Sequence, residues 1–182
     1  NFQANKLFGP SCINCNGSFD PNGKHVDCFG VPWVVDDVAP IGGAIPDPHF
    51  HLLEDICDWE EVVKFPNVDE MNWTESVRRD MAGIDRNEHF IITNLEEGNF
   101  NRLQALMGTC EAMIAMLEEP EATADFFEAH TDWIIKLMKK AKEHYNLDIF
   151  LLGDDICSST GLLFGREMYD DLILPYQKKL AK

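Results

Sequence analysis

Two short runs interrupt a chain otherwise patterned for helices: HFIIT at residues 89–93 and DIFLL at residues 148–152. Neither alternates polar with apolar positions, so each reads as a strand covered on both faces, as in a parallel sheet beneath helices. Between them the spacing predicts helices. Residues 71–81 form one, with Asn72 as cap and Trp73 and Val77 four apart on one face. Residues 100–107 begin a second. Gly108 resets the chain, Thr109 caps, and Met113, Ile114, Met116 and Leu117 give a buried stripe over residues 111–118.

Pro120 then opens the longest helix, predicted over residues 121–145. Its apolar face is Ala122, Phe126, Trp133, Leu137, Ala141 and Tyr145, supplemented by Ile134 and Met138. Acids fall early (Glu121, Asp125, Glu128) and lysines late (Lys136, Lys139, Lys140, Lys142), as the helix dipole prefers. His130 lies on the buried stripe and reads as a core histidine. After the second strand run, residues 156–164 read as a loop, and a last helix starts at Gly165, with Pro175 kinking it or starting another.

The first third is less regular. Residues 1–28 carry Gly, Asn, Pro and Ser without an apolar period and read as loop. Residues 28–35 favour a strand that Pro32 restricts to an edge or hairpin, and residues 40–48 read as an extended connection. Residues 52–63 suggest one or two short helical turns, closed by Phe65 and Pro66. The expected organisation is one domain over residues 1–182: an irregular region with a hairpin (1–66), then βα units with a parallel sheet (67–182).

A net charge of −17 argues against nucleic acid and anionic membrane as partners, since their binding needs clustered Lys and Arg. No uncharged apolar run reaches the roughly 18 residues of a membrane span, and NFQANKLFGP lacks the features of a signal peptide, so a cytoplasmic location is expected. The six cysteines are scattered, which favours free thiols. Cys12 and Cys15 form a CxxC step that Cys28 or His25 could complete as a zinc site, a weak signal without a second pair; His49 and His51 are weaker still.

Chemistry is sought where parallel strands end. After HFIIT come Asn94, Glu96, Glu97, Asn99, Phe100 and Arg102; after DIFLL come Gly153 and the adjacent acids Asp154 and Asp155. Neighbouring acids raise each other's pKa, which can leave one a proton donor near neutrality. Each has a plainer reading. The acid pair suits a polar turn, Arg102 a salt bridge to Glu96 or Glu97, and Asn94 and Asn99 helix caps. Asp155 could cap as well, leaving Asp154 as the inward acid.

FGVPWV, LLEDICDWEEVVKFPNVDE, NLEEGNFNRLQALMG, CEAMIAMLEEPEA and DIFLLGDDICSSTGLLFGREMYDDLILPYQKKL together resemble the uroporphyrinogen decarboxylase superfamily. The likeness runs over most of residues 28–182 and is closer to the branch of corrinoid-dependent methyltransferases and O-demethylases. It implies a (β/α)8 barrel, of which this chain would be a part lacking the first strand and everything after the third. The remainder of the barrel, or another copy of the chain, would then be a partner. The implied reaction moves a methyl group between a small methylated substrate and a corrinoid (cobalamin) held by a partner protein. Asp154 and Asp155 would be the proton-handling acids, and Asn94, Glu96, Glu97, Asn99, Phe100 and Arg102 the substrate-binding positions. The branch's zinc ligands, a His-x-Cys and a later Cys, belong to the second half of that barrel; no His-x-Cys occurs here, and Cys12 and Cys15 do not match them. Two other readings remain: uroporphyrinogen decarboxylation, which needs an arginine cluster, and a noncatalytic subunit or binding module on a half barrel.

Overall fold

The computed structural model describes residues 7–8, 23–35 and 44–182. The two strand runs lie side by side in one parallel sheet of three strands. The centre strand is β5 (Ile92–Leu95), flanked by β6 (Ile149–Leu152) in register Ile92 to Ile149 through Leu95 to Leu152. On its other side runs β1 (Leu7–Phe8), also parallel, from a segment read as loop. Two residues carry too little pattern to be seen in sequence. The fold is mixed α/β with a parallel sheet, and no closed barrel forms among the described residues.

At the entry end, Asp148 locks the sheet. Its carboxylate accepts from the Ile91 amide at 2.8 Å and from Arg86 Nη1 at 2.6 Å, and these bonds, Arg86 first, hold its pKa below the usual carboxylate value. The strand therefore starts at Ile92, three residues later than the sequence reading placed it.

A second sheet is an antiparallel meander of β2 (Lys24–Val26), β3 (Pro32–Val35) and β4 (Ala44–Pro46). The hairpin strand read over residues 28–35 is thus present, but its partner β2 comes from the stretch read as loop. Pro32 sits at the start of β3, where its missing N–H leaves no gap in the ladder. Short helical turns follow, Ile56–Asp58 and α1 (Trp59–Val62), then α2 (Trp73–Asp80), whose Glu75 amide donates to Asn72 Oδ1 as the cap pattern requires.

Between β5 and β6 the chain crosses over through α3 (Asn99–Met107), α4 (Thr109–Glu118) and α5 (Pro120–Tyr145). Gly108, at φ 90°, makes the sharp corner between α3 and α4, a conformation open mainly to glycine. Helix α5 begins at Pro120 and ends on Asn146 in the left-handed region at φ 51°. Phe126, Ile134, Leu137 and Ala141 are fully buried on it, each apolar side chain of leucine size contributing roughly 1.5–3 kcal/mol by leaving water. Its rings gather with those of Phe29 and Phe65 around His130, which is stacked between Phe126 and Trp133 at 5.8 and 5.7 Å.

Residues 156–164, read as loop, contain a minimal hairpin of β7 (Cys157–Ser158) and β8 (Gly161–Leu162). The last helical stretch divides into α6 (Arg166–Leu172) and α7 (Leu174–Leu180), with Pro175 in the first turn of the second, so the proline begins a new helix. Tyr176 and Lys179 fasten α7 onto α5 through the Ala124 carbonyl and the acids Glu128 and Asp132. Among the described residues no helix is long and apolar enough to cross a membrane.

Candidate functional site

Because β5 and β6 run parallel, both acidic exits open at one end of the sheet. A cleft of about 640 Å³ lies there, within the range of small-molecule sites. One wall is formed by the meander and the turn after it, with Trp33, Pro46, Pro48 and Phe50 facing the opening. The opposite wall is the β5 exit and α3, with Glu96, Glu97, Asn101, Arg102 and Gln104, joined by Asp155 from the β6 exit. The bond from Leu53 N–H to the Leu106 carbonyl at 3.0 Å ties the segment after the meander to α3, and Asp47 N–H to the Pro32 carbonyl at 2.8 Å closes the meander wall on itself.

The floor is an ion cluster. Arg102 Nη2 donates to Glu97 Oε2 at 2.6 Å and its Nε to the same oxygen at 3.0 Å, while Nη1 donates to Asp27 Oδ2 at 2.7 Å. Arg102, Glu97 and Asp27 side chains are 2%, 1% and 0% exposed, so this is a buried charge cluster whose members must satisfy one another. Asp27 is filled further by the amides of Phe29 and Val31 and by Trp33 Nε1 at 3.0 Å. Phe29 lies under the guanidinium at 4.1 Å. The salt bridge to Glu97 agrees with the plainer reading of Arg102. Asp27 was absent from that reading, although an acid set just before the apolar CFGV run is a residue that needs a partner inside the protein.

The adjacent acids after β6 part company. Asp155 is exposed and lines the cleft, and its amide donates to Asn101 Oδ1 at 2.8 Å. Asp154, the acid the sequence reading turned inward, instead accepts the Asn101 amide at 2.9 Å at the start of α3. It borders a smaller hollow of about 260 Å³, with Met138, Phe150 and Leu152. Burial is the main cause that pushes its pKa up to about 6; the charge of Asp155 adds the least of the causes. Asp154 thus caps a helix that it does not precede in sequence. Gly98 makes this possible, since a Cβ there would lie 2.1 Å from Asp154 Cγ.

Of the positions singled out in sequence, Glu96, Glu97, Arg102 and Asp155 meet in the cleft. The others do not. Asn94 lies within β5, with its amide 3.4 Å from Glu96 Oε1. Phe100 is fully buried, edge-on to Phe164 at 5.3 Å. Asn99 is in the first turn of α3 rather than its cap, and joins a buried chain from Thr131 Oγ1, its acceptor at 3.0 Å, to His130 Nδ1 at 2.8 Å. With Asn99 Nδ2 donating to Thr131, His130 Nδ1–H donates to Asn99 Oδ1 and the ring is neutral. Burial, with the Arg102 charge second, holds the His130 pKa well below its usual value.

Among the described residues no three His, Cys, Asp or Glu side chains are grouped to hold a metal ion. Cys12 and Cys15 lie outside the described residues, and Cys28 is a free, half-buried thiol.

Asp154 and His130 leave opposite marks on acid stability. Folding raises the Asp154 pKa from 3.8 to about 6, so between those values the native state holds a proton the unfolded chain has released. Its stabilising contribution is present at low pH and is lost as pH rises through 6, about 2–3 kcal/mol in all. His130 has a lowered pKa, so it weakens the fold as pH falls below 6.5 and the unfolded chain takes up the proton. Asp154→Asn removes only the first effect: urea titrations from pH 4 to 7.5 should show the variant gaining on the parent as pH rises, with a steeper decline of its own toward pH 4. Parallel curves for the two proteins would contradict this.

No protein-family profile, curated protein or solved structure matches this chain.

Proposed function

We propose that this chain carries the substrate cleft of an enzyme resembling the uroporphyrinogen decarboxylase superfamily, in its methyl-transferring branch, and that it moves a methyl group between a small methylated compound and a corrinoid held by a partner protein. A (β/α)8 barrel, completed by residues beyond these or by another copy, is part of the same proposal. The observation that carries it is the common opening of two parallel strand exits into one cleft, with Glu96, Glu97 and Arg102 from one exit and Asp155 from the other. The cleft is of small-molecule size, so the fit is to the substrate, the corrinoid staying with its partner. A bound corrinoid would supply the nucleophile or the carrier for the methyl group. The chain's own residues would orient the substrate between the aromatic wall and α3, and Asp155 would exchange a proton with a leaving oxygen or nitrogen. Zinc, for which the described residues offer no ligand set, has no step in this account.

The methyl-transfer reading is favoured over tetrapyrrole decarboxylation by Arg102. A polycarboxylate substrate calls for cations turned toward it, and among the described residues the one arginine lining the cleft is committed to Glu97 and Asp27. The reading predicts that the chain, mixed with chemically reduced cobalamin and a panel of methyl ethers and methylamines, bleaches the reduced-cobalamin absorbance with at least one of them. Asp155→Asn should slow that bleaching at least tenfold. A chain expressed with its encoded flanking sequence that leaves the absorbance unchanged with every compound would overturn the assignment.

A further inference from the structure

The charge of the cleft selects the kind of ligand it takes. Its only Lys or Arg among the described residues is Arg102, bound on two sides by carboxylates, so the cluster of Arg102, Glu97 and Asp27 is itself one charge negative. Around it stand Glu96, Asp155, Asp47 and Glu111, and His51 is the remaining basic side chain on the lining among the described residues. An anion entering here would meet carboxylates without a counter-charge.

The same lining also carries apolar side chains, Trp33, Pro46, Pro48 and Phe50, with Asp47 among them. Trp33, held in place by its Nε1–H bond to Asp27, and Phe50 offer ring surfaces with Pro46 and Pro48 between them. A cavity lined by both aromatic rings and carboxylates matches a compact cation with an apolar skin, whose methyl groups meet the rings while its charge is balanced by the acids. We infer that the cleft binds a small methylated ammonium ion and rejects small carboxylates. The inference rests on the reading of this cleft as the substrate site and names the substrate class: a methylated amine rather than a methyl ether or a polycarboxylate.

The test uses the whole chain and two probes of similar size, tetramethylammonium chloride and sodium acetate, followed by saturation-transfer NMR and titration calorimetry at low and moderate salt. Tetramethylammonium should bind at least tenfold more tightly than acetate. Glu96→Gln with Asp155→Asn, both at exposed positions, should weaken it at least tenfold, and Trp33→Leu should weaken it as well. A control pair exposed on α5 and absent from the cleft lining, Glu121→Gln with Asp125→Asn, should leave it unchanged, which separates cleft binding from the pull of an acidic protein on any cation. Acetate binding as tightly as the cation would overturn the inference while leaving the cleft a ligand site. So would tetramethylammonium binding that ignores the cleft substitutions, or binding of neither probe. The reduced-cobalamin assay is read independently, so methyl transfer from an ether without cation binding would sink this inference and spare the proposed activity.

Discussion

Replacing Arg102 by leucine is expected to cost about 3–5 kcal/mol of folding stability. The guanidinium is 2% exposed and faces carboxylates that are 1% and 0% exposed, so leucine would leave two buried acids with no cation between them. That loss exceeds the value of the ion pairs themselves, because the cost of keeping a carboxylate out of water is no longer offset. Lysine is not a substitute. A single ammonium cannot supply the Nε, Nη1 and Nη2 bonds that reach Glu97 and Asp27 at once, and it forfeits the flat contact with Phe29 at 4.1 Å. Urea denaturation should show the midpoint falling with an unchanged slope, more for leucine than for lysine. A loss under about 1 kcal/mol would mean that the cluster is far wetter than these distances imply.

Gly98→Ala is expected to cost about 3 kcal/mol, at the upper end of overpacking penalties. The backbone at Gly98, φ −58°, suits any residue, so the requirement is space and not conformation. A methyl group there would sit 2.1 Å from Cγ, 2.2 Å from Cβ and 2.4 Å from Oδ1 of Asp154, and the loops cannot part freely because Gly98 N–H is bonded to the Gly153 carbonyl at 2.9 Å. A double-mutant cycle tests the cause. With Asp154→Gly all three atoms are gone, so adding Gly98→Ala to that background should cost under about 1 kcal/mol. Equal costs in both backgrounds would place the strain elsewhere.

How far these features could be read from sequence depends on how local they are. The 120–145 helix was legible because its apolar spacing, early acids, late lysines and opening proline all act within a few turns of each other. The strand runs and their shared direction followed from residues apolar on both faces, but the expected cover on both faces fails in β6, where Ile149 and Leu151 are 45% and 48% exposed. The strands at Leu7–Phe8 and Lys24–Val26 were not legible, for each is too short to show a period and owes its form to the neighbour it pairs with. The site divides in the same way. Arg102 and Glu97 lie one helical turn and a residue apart, and their pairing could be foreseen. Asp27 reaches Arg102 across 75 positions, and which of two adjacent acids faces the cleft depends on how Asp154 meets the distant Gly98, so neither is written in local spacing.

Asp27 accepts from the Trp33 ring on one side of the cleft and from Arg102 on the other, through the same Oδ2. The aromatic wall and the charged floor are therefore tied at a single atom and cannot be redesigned separately. A directed-evolution campaign that changes Trp33 to reshape the opening will also disturb the anchor of the guanidinium, and gains in ligand range will arrive coupled to losses in thermal tolerance.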